Sequence, residues 1–186
     1  MPVACFLDVE TTGLSPWTEE VVELALALFE YDAATGKVGR RLESYTGLRE
    51  PGVRISAGAA RVHGLTMEVL RGCRLDDAKV LDLLGKSSLI IAHNSAFDYP
   101  FVTRLFPAAA RMRWACSCRD IPWHAYGQPS ASLASLTRAF GIRSHQVHRA
   151  ADDVEDAIAL LATTGPHGRP FMYDLLVAAE ARRKTR

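Results

Sequence analysis

Two carboxylates, Asp8 and Glu10, stand in the apolar run VACFLDVE near the start of the chain, directly before the turn-forming TTG. Side chains alternate along an extended strand, so Phe6, Asp8 and Glu10 leave one face and Cys5, Leu7 and Val9 the other, with the two carboxylates roughly 7 Å apart. Acids inside an apolar strand are costly unless something positive neutralises them, and a divalent cation held by oxygen ligands would do so. Read alone, the pair could equally be strand-end acids facing solvent. Asp98 follows a second apolar run, SLIIAH, and opens a helix packed through Phe97, Phe101, Val102 and Leu105, where an acid also suits the helix dipole. His93 and Asn94 end that run, at the place where open sheets commonly hold ligands.

A later, acid-rich helix is decided by angle. At about 100° per residue from Ala150, the apolar Val154, Ala157 and Leu161 cluster in one direction, Asp152 falls nearly opposite, and Asp153 stands about 60° from Ala150 on the flank. Asp153 is thus the acid nearest the core, with Asp152, Glu155 and Asp156 expected toward water. His148 lies just ahead of this helix, and its ordinary pKa near about 6.5 qualifies it as a proton acceptor. Acids at the ends of different elements beside a histidine make sense together if they hold two divalent ions about 4 Å apart. Such a pair activates water and stabilises the leaving oxygen of a phosphodiester while the histidine takes the proton.

These residues need a scaffold. Residues 3 to 9, 21 to 31 and 40 to 48 read as strands joined by short loops, an antiparallel meander. A helix at 76 to 86, a strand at 88 to 93, a helix near 97 to 105 and a strand around 112 to 117 then alternate, which implies parallel neighbours. Helices at 132 to 140 (capped by Ser130 or Ser132), about 149 to 162, and 170 to about 183 close the chain. The expected architecture is α/β, a mixed sheet flanked by helices.

A length of 186 residues with 48% hydrophobic content fits one domain spanning 1 to 186, with a basic tail at about 181 to 186. No apolar run approaches the roughly 18 residues of a membrane helix, and VACFL lacks a basic leader, so a cytoplasmic protein with no membrane partner is expected. The four cysteines, at 5, 73, 116 and 118, lack zinc spacing and read as buried or incidental thiols. Net charge is +1, yet the stretch from Arg104 to Arg119 holds four arginines and no acid, a candidate phosphate-backbone surface.

Three motifs in order, FLDVETTGL (6 to 14), IAHNSAFDYPF (91 to 101) and HRAADD (148 to 153), together with the short VHGLT (62 to 66), resemble the DEDDh (DnaQ-like) exonucleases. That family includes the proofreading epsilon subunit of bacterial DNA polymerase III, ribonuclease T and oligoribonuclease. The resemblance implies a ribonuclease H-like fold and 3′-to-5′ hydrolysis of nucleic acid. It implies that Asp8, Glu10, Asp98 and Asp153 bind two Mg²⁺ or Mn²⁺ ions, and that His148 is the general base. By the same resemblance Thr11, Thr12 and Gly13 meet the terminal nucleotide through backbone and hydroxyl groups, Leu14 is wedged against its base, Leu65 borders the same pocket, and Asn94 and Phe97 line the channel. His63 reads as structural. WACSCRDIPW (114 to 123) resembles stand-alone bacterial relatives of the epsilon subunit. Expected partners are nucleic acid 3′ ends, single-stranded DNA above RNA, with non-covalent polymerase association or a homodimer compatible with the family. Rival readings are an exoribonuclease, and a catalytically idle nucleic-acid-binding or polymerase-docking module on the same fold.

Overall fold

The computed structural model describes residues 1 to 142 and 149 to 184. Strands β1 (Val3–Thr11), β2 (Val21–Tyr31) and β3 (Val38–Leu48) form the meander, followed by helices α1 (Ala57–His63), α2 (Met67–Leu70) and α3 (Asp77–Lys86), strand β4 (Leu89–Ala92), α4 (Ser95–Leu105), β5 (Trp114–Cys116), α5 (Leu133–Ala139), α6 (Ala150–Ala162) and α7 (Phe171–Lys184). Short 3-10 turns occupy Pro107–Arg111 and Trp123–Tyr126. The sheet order is β3-β2-β1-β4-β5, with β1 antiparallel to β2 and parallel to β4, and β4 parallel to β5. The expected mixed sheet is therefore present, with element ends shifted by a few residues.

Both faces of the sheet are covered, which is why β2 reads as a continuous apolar run and is buried along nearly its whole length. One face of β1, through Ala4 and Phe6, packs with Ala25, Ala27 and Phe29 of β2 under α5, α6 and α7. The other, through Cys5, Leu7 and Val9, packs with Leu24, Leu26 and Leu28 against α3 and α4. The alternation read from sequence holds, and it places Asp8 and Glu10 on the α6 side. Alanines at 4, 25, 27, 150 and 157 lie at this contact and are small enough to admit close approach of the helix.

Helices α1 and α2 were not expected. Ser56 accepts the Ala59 N–H and Thr66 accepts the Val69 N–H, each a side-chain cap that ends an otherwise irregular stretch in a short helix. The N-terminus of α5 is capped by Ser132, which accepts the Ser135 N–H. Residues 181 to 184 lie in α7, and Arg182 grips both oxygens of Asp120, whose carboxylate also accepts the Cys116 N–H at 2.7 Å; this ties the helix to β5. All four cysteines are free thiols, and burial pushes Cys5 up to about 12. Among the described residues no helix is long and apolar enough to cross a membrane.

Candidate active site

The strand that starts the site carries its acids past the point where its neighbour stops. β4 pairs only with Ala4, Cys5 and Phe6, so the end of β1 has no strand partner on that side. Asp98, in the first turn of α4 and 2% exposed, occupies that margin. Burial pushes its carboxyl up to about 8, opposed by the backbone N–H groups of Asp98 itself and Val9. From the other side α6 lies over β1 and β2 and brings Asp153 to the same place. Asp8, Glu10 and Asp153 are each half-buried and offer oxygen atoms that all lie within 4.8 Å of one another.

So many carboxylates in one place repel. Asp8 is held well above the ordinary carboxylate range, first by burial and then by the charges of Asp98, Asp153, Glu10 and Glu23. Glu10 is pushed up to about 8, again first by burial, then by Asp153, Glu23 and Asp98, with Arg149 opposing. A group of oxygen ligands that resists ionising together is the electrostatic complement of a multivalent cation, and the donor set suits a hard one such as Mg²⁺ or Mn²⁺.

One member of this cluster was not singled out from sequence. Glu23 faces Glu10 across the β1–β2 ladder, and its side chain is 1% exposed. It receives Arg149 Nε at 3.2 and 3.1 Å on its two oxygens and the Arg149 terminal guanidinium nitrogen at 2.6 Å, and it accepts the Ala150 N–H at 3.1 Å. Arg149 occupies the N-cap position of α6 and makes no side-chain cap bond of its own, so a carboxylate from β2 performs the capping. The signal in the sequence was an acid inside the apolar run VVELALALF, which calls for a buried partner.

The turn after β1 is largely self-contained. The Thr11 hydroxyl donates to the Gly13 carbonyl at 2.6 Å, while Thr12 is wholly buried, its hydroxyl bonded to the Glu19 carboxylate and accepting the Glu20 N–H at 2.9 Å. This corrects the expectation that Thr12 offers its hydroxyl to a nucleotide. A Cβ at Gly13 would stand 2.8 Å from the Glu19 carboxyl carbon, so a larger residue there would have to move the side chain that Thr12 holds. Leu14 is 84% exposed. Leu65 is buried with Val22 and Leu70 in a small core of its own.

Asn94 is exposed at the N-terminus of α4 and is the only non-glycine residue with positive φ among those described, at φ 77°. Asparagine tolerates this conformation better than most residues. Phe97 is half-buried, its ring centroid 5.1 Å from that of Phe101. His93 bridges the Ser117 hydroxyl at 3.0 Å and the Ala131 carbonyl at 2.8 Å, a structural role that burial supports by lowering its pKa. His63 is structural as expected, joining the Thr11 carbonyl at 3.2 Å and accepting the Leu65 N–H at 3.0 Å. His148 lies outside the described residues.

One expectation about charge changes. Asp156 is only 4% exposed, because α6 packs on the sheet and also between α5 and α7, so its buried arc is wider than one apolar stripe. The Arg104 guanidinium donates to the carbonyls of Pro16 and Glu19, which fixes it on the β1–β2 loop without neutralising it.

Residues 5–161 match the family model described as Exonuclease. The chain belongs to the 3′-to-5′ exonuclease family. This exonuclease chain is 30% identical over 152 residues to a protein of Thermotoga petrophila called DNA polymerase III PolC-type, a match covering 79% of the chain and 11% of that protein. Identity to the protein of the same name in Listeria monocytogenes is 28% over 164 residues, covering 85% of the chain and again 11% of the relative. The exonuclease also has the fold of E. coli Exonuclease I. In complex with a dA16 oligonucleotide that structure aligns with a TM-score of 0.76 at 20% identity, covering 94% of this chain and 42% of that one. The zinc-bound complex of the same enzyme with single-stranded DNA aligns with a TM-score of 0.77 at 20% identity, covering 100% of this chain and 45% of that one. The chain thus spans about a tenth of its curated relatives and under half of these structural neighbours.

Proposed function

We propose that this exonuclease removes nucleotides one at a time from the 3′ end of single-stranded DNA, with Asp8, Glu10, Asp98 and Asp153 holding two divalent cations, Mg²⁺ or Mn²⁺, and His148 as general base. The observation that carries this reading is the convergence of Asp8, Glu10 and Asp153, from a strand and a helix far apart in sequence, with oxygens within 4.8 Å of one another. Bound cations would supply the electrophilic help that makes water a nucleophile at neutral pH and offsets charge on the leaving oxygen.

The chain's own residues do the rest. Asp8 and Glu10 on β1, Asp98 on α4 and Asp153 on α6 would hold the cations. His148 accepts the proton of the attacking water. The water oxygen bonds to phosphorus as the phosphorus–O3′ bond breaks, leaving a 3′-hydroxyl on the shortened strand and a 5′-phosphate on the released nucleotide.

Preference for DNA is supported by the PolC-type polymerases among the relatives and by the oligodeoxynucleotide bound to Exonuclease I. The PolC-type relatives also support work beside a polymerase, in proofreading or DNA repair. The test is digestion of labelled single-stranded DNA and RNA, linear and circular, with free and blocked 3′ ends, in Mg²⁺ and in chelator. Linear DNA with a free 3′ end should be shortened stepwise to 5′-mononucleotides only when metal is present. Equal loss of circles, or indifference to a 3′ block, would overturn the polarity; faster loss of RNA would make the enzyme an exoribonuclease.

A further inference from the structure

The excursion between β1 and β2 begins and ends beside the site. The Thr12 N–H donates to the Glu20 carbonyl at 2.8 Å, which closes the loop two residues beyond Glu10. Within it the Glu19 N–H meets the Ser15 carbonyl at 2.9 Å, and Thr12 holds the Glu19 carboxylate. Arg104 reaches across from α4, the helix that carries Asp98, and binds the carbonyls of Pro16 and Glu19. The loop is therefore braced on one side by the strand bearing Asp8 and Glu10 and on the other by the helix bearing Asp98.

At its tip this fixed loop holds two large apolar side chains out in water. Trp17 is 87% exposed and Leu14 84%, more than any other large hydrophobic residue described. Isolated exposed apolar residues are ordinary on protein surfaces. These two differ in sharing one braced turn that follows directly on the strand carrying Asp8 and Glu10. An indole gains nothing for folding at such exposure, and its flat face suits stacking.

We infer that Trp17 is a stacking platform for an unpaired nucleobase near the 3′ end of the substrate strand. This rests on the nuclease reading and adds to it the reason for preferring a single strand: a base already stacked in a duplex does not offer its face. The contact is aromatic and not ionic, so it is indifferent to base sequence and to salt, unlike a phosphate contact.

The experiment compares wild type, Trp17→Ala and Trp17→Phe on a single-stranded DNA oligonucleotide in Mg²⁺, and on the same oligonucleotide made abasic over its last four positions. On the normal strand Trp17→Ala should raise KM about tenfold or more, with Trp17→Phe restoring most of the loss and the penalty unchanged between low and moderate salt. On the abasic strand the three proteins should have the same KM. Equal thermal melting of the variants excludes a folding defect. A KM within twofold of wild type for Trp17→Ala, or an undiminished penalty on the abasic strand, would overturn the assignment while leaving the nuclease reading intact. A wild type inert on both strands would sink the nuclease reading and this inference with it.

Discussion

Glu23 stands opposite Glu10 on the neighbouring strand, and the same carboxylate that crowds Glu10 fastens the first N–H of the helix that delivers Asp153. Repulsion within the cluster and placement of its last member thus pass through one buried side chain. The Glu23 side chain is 1% exposed but that of Arg149 is 35% exposed, so solvent screens the cation left behind, and Glu23→Ala should lower stability by about 1–2 kcal/mol, the order of a lost helix cap. Glu23→Gln should lose less, since an amide oxygen can still accept the Ala150 N–H. Chemical denaturation of the three proteins measures this; equal stability of wild type and Glu23→Ala would show that α6 is anchored some other way.

Asp153→Asn should nearly abolish cleavage and weaken metal binding, because the amide keeps the shape but not the charge. Asp152→Asn, on the next residue of the helix but outside the converging group, should be mild. His148→Ala should retain metal affinity while slowing the chemical step by roughly a hundredfold or more. Calorimetric metal titration beside single-turnover cleavage separates the three. Greater damage from Asp152→Asn than from Asp153→Asn would reassign the ligand.

Metal-free stability should fall as pH rises. Glu10 and Asp98 are raised to about 8, and Asp8 is raised as well, against roughly 4 in an unfolded chain. Between those limits the folded state binds more protons than the unfolded one, so the slope of unfolding free energy against pH is negative across that window and flattens outside it. Melting temperature in chelator should drop from pH 5 to pH 8, and Mg²⁺ or Mn²⁺ should restore it most at the alkaline end. A melting curve that rises with pH in chelator would contradict the crowding of these acids.

Asn94 can be split into backbone and side chain. Its φ of 77° would strain an alanine by roughly 1–2 kcal/mol but suits glycine. If the side chain touches the nucleotide, Asn94→Gly and Asn94→Ala should both raise KM. If only the backbone matters, Asn94→Gly should match wild type in KM and melting, and the contact assigned to the amide would be withdrawn.

Much of the site was legible because its geometry is local. Strand alternation alone put Asp8 and Glu10 on one face, and the helical angle separated Asp153 from Asp152. What escaped depends on packing between distant elements. The burial of Asp156 follows from α6 being enclosed on three sides, and the pairing of Glu23 with Arg149 joins residues 126 apart. The anchoring of Arg104 on the carbonyls of Pro16 and Glu19 escaped because carbonyl acceptors leave no mark on a charge pattern. The two short helices escaped because each is set by its caps, Ser56 and Gly64 for one and Thr66 for the other, and not by an apolar repeat.

The margins of the sheet bear on how the molecule behaves at high concentration. A free strand edge invites another chain to add to it, the usual first step toward fibrous aggregates. On one margin β3 carries Glu43, bound at 2.8 Å by both Lys79 and Lys86, and Arg41, paired with Glu155. On the other β5 is only three residues long and is followed by Asp120 in the grip of Arg182. An incoming strand would have to strip paired charges of their partners and water at the first and would find almost nothing to hydrogen-bond at the second, so this sheet is poorly suited to growth by recruitment of further chains.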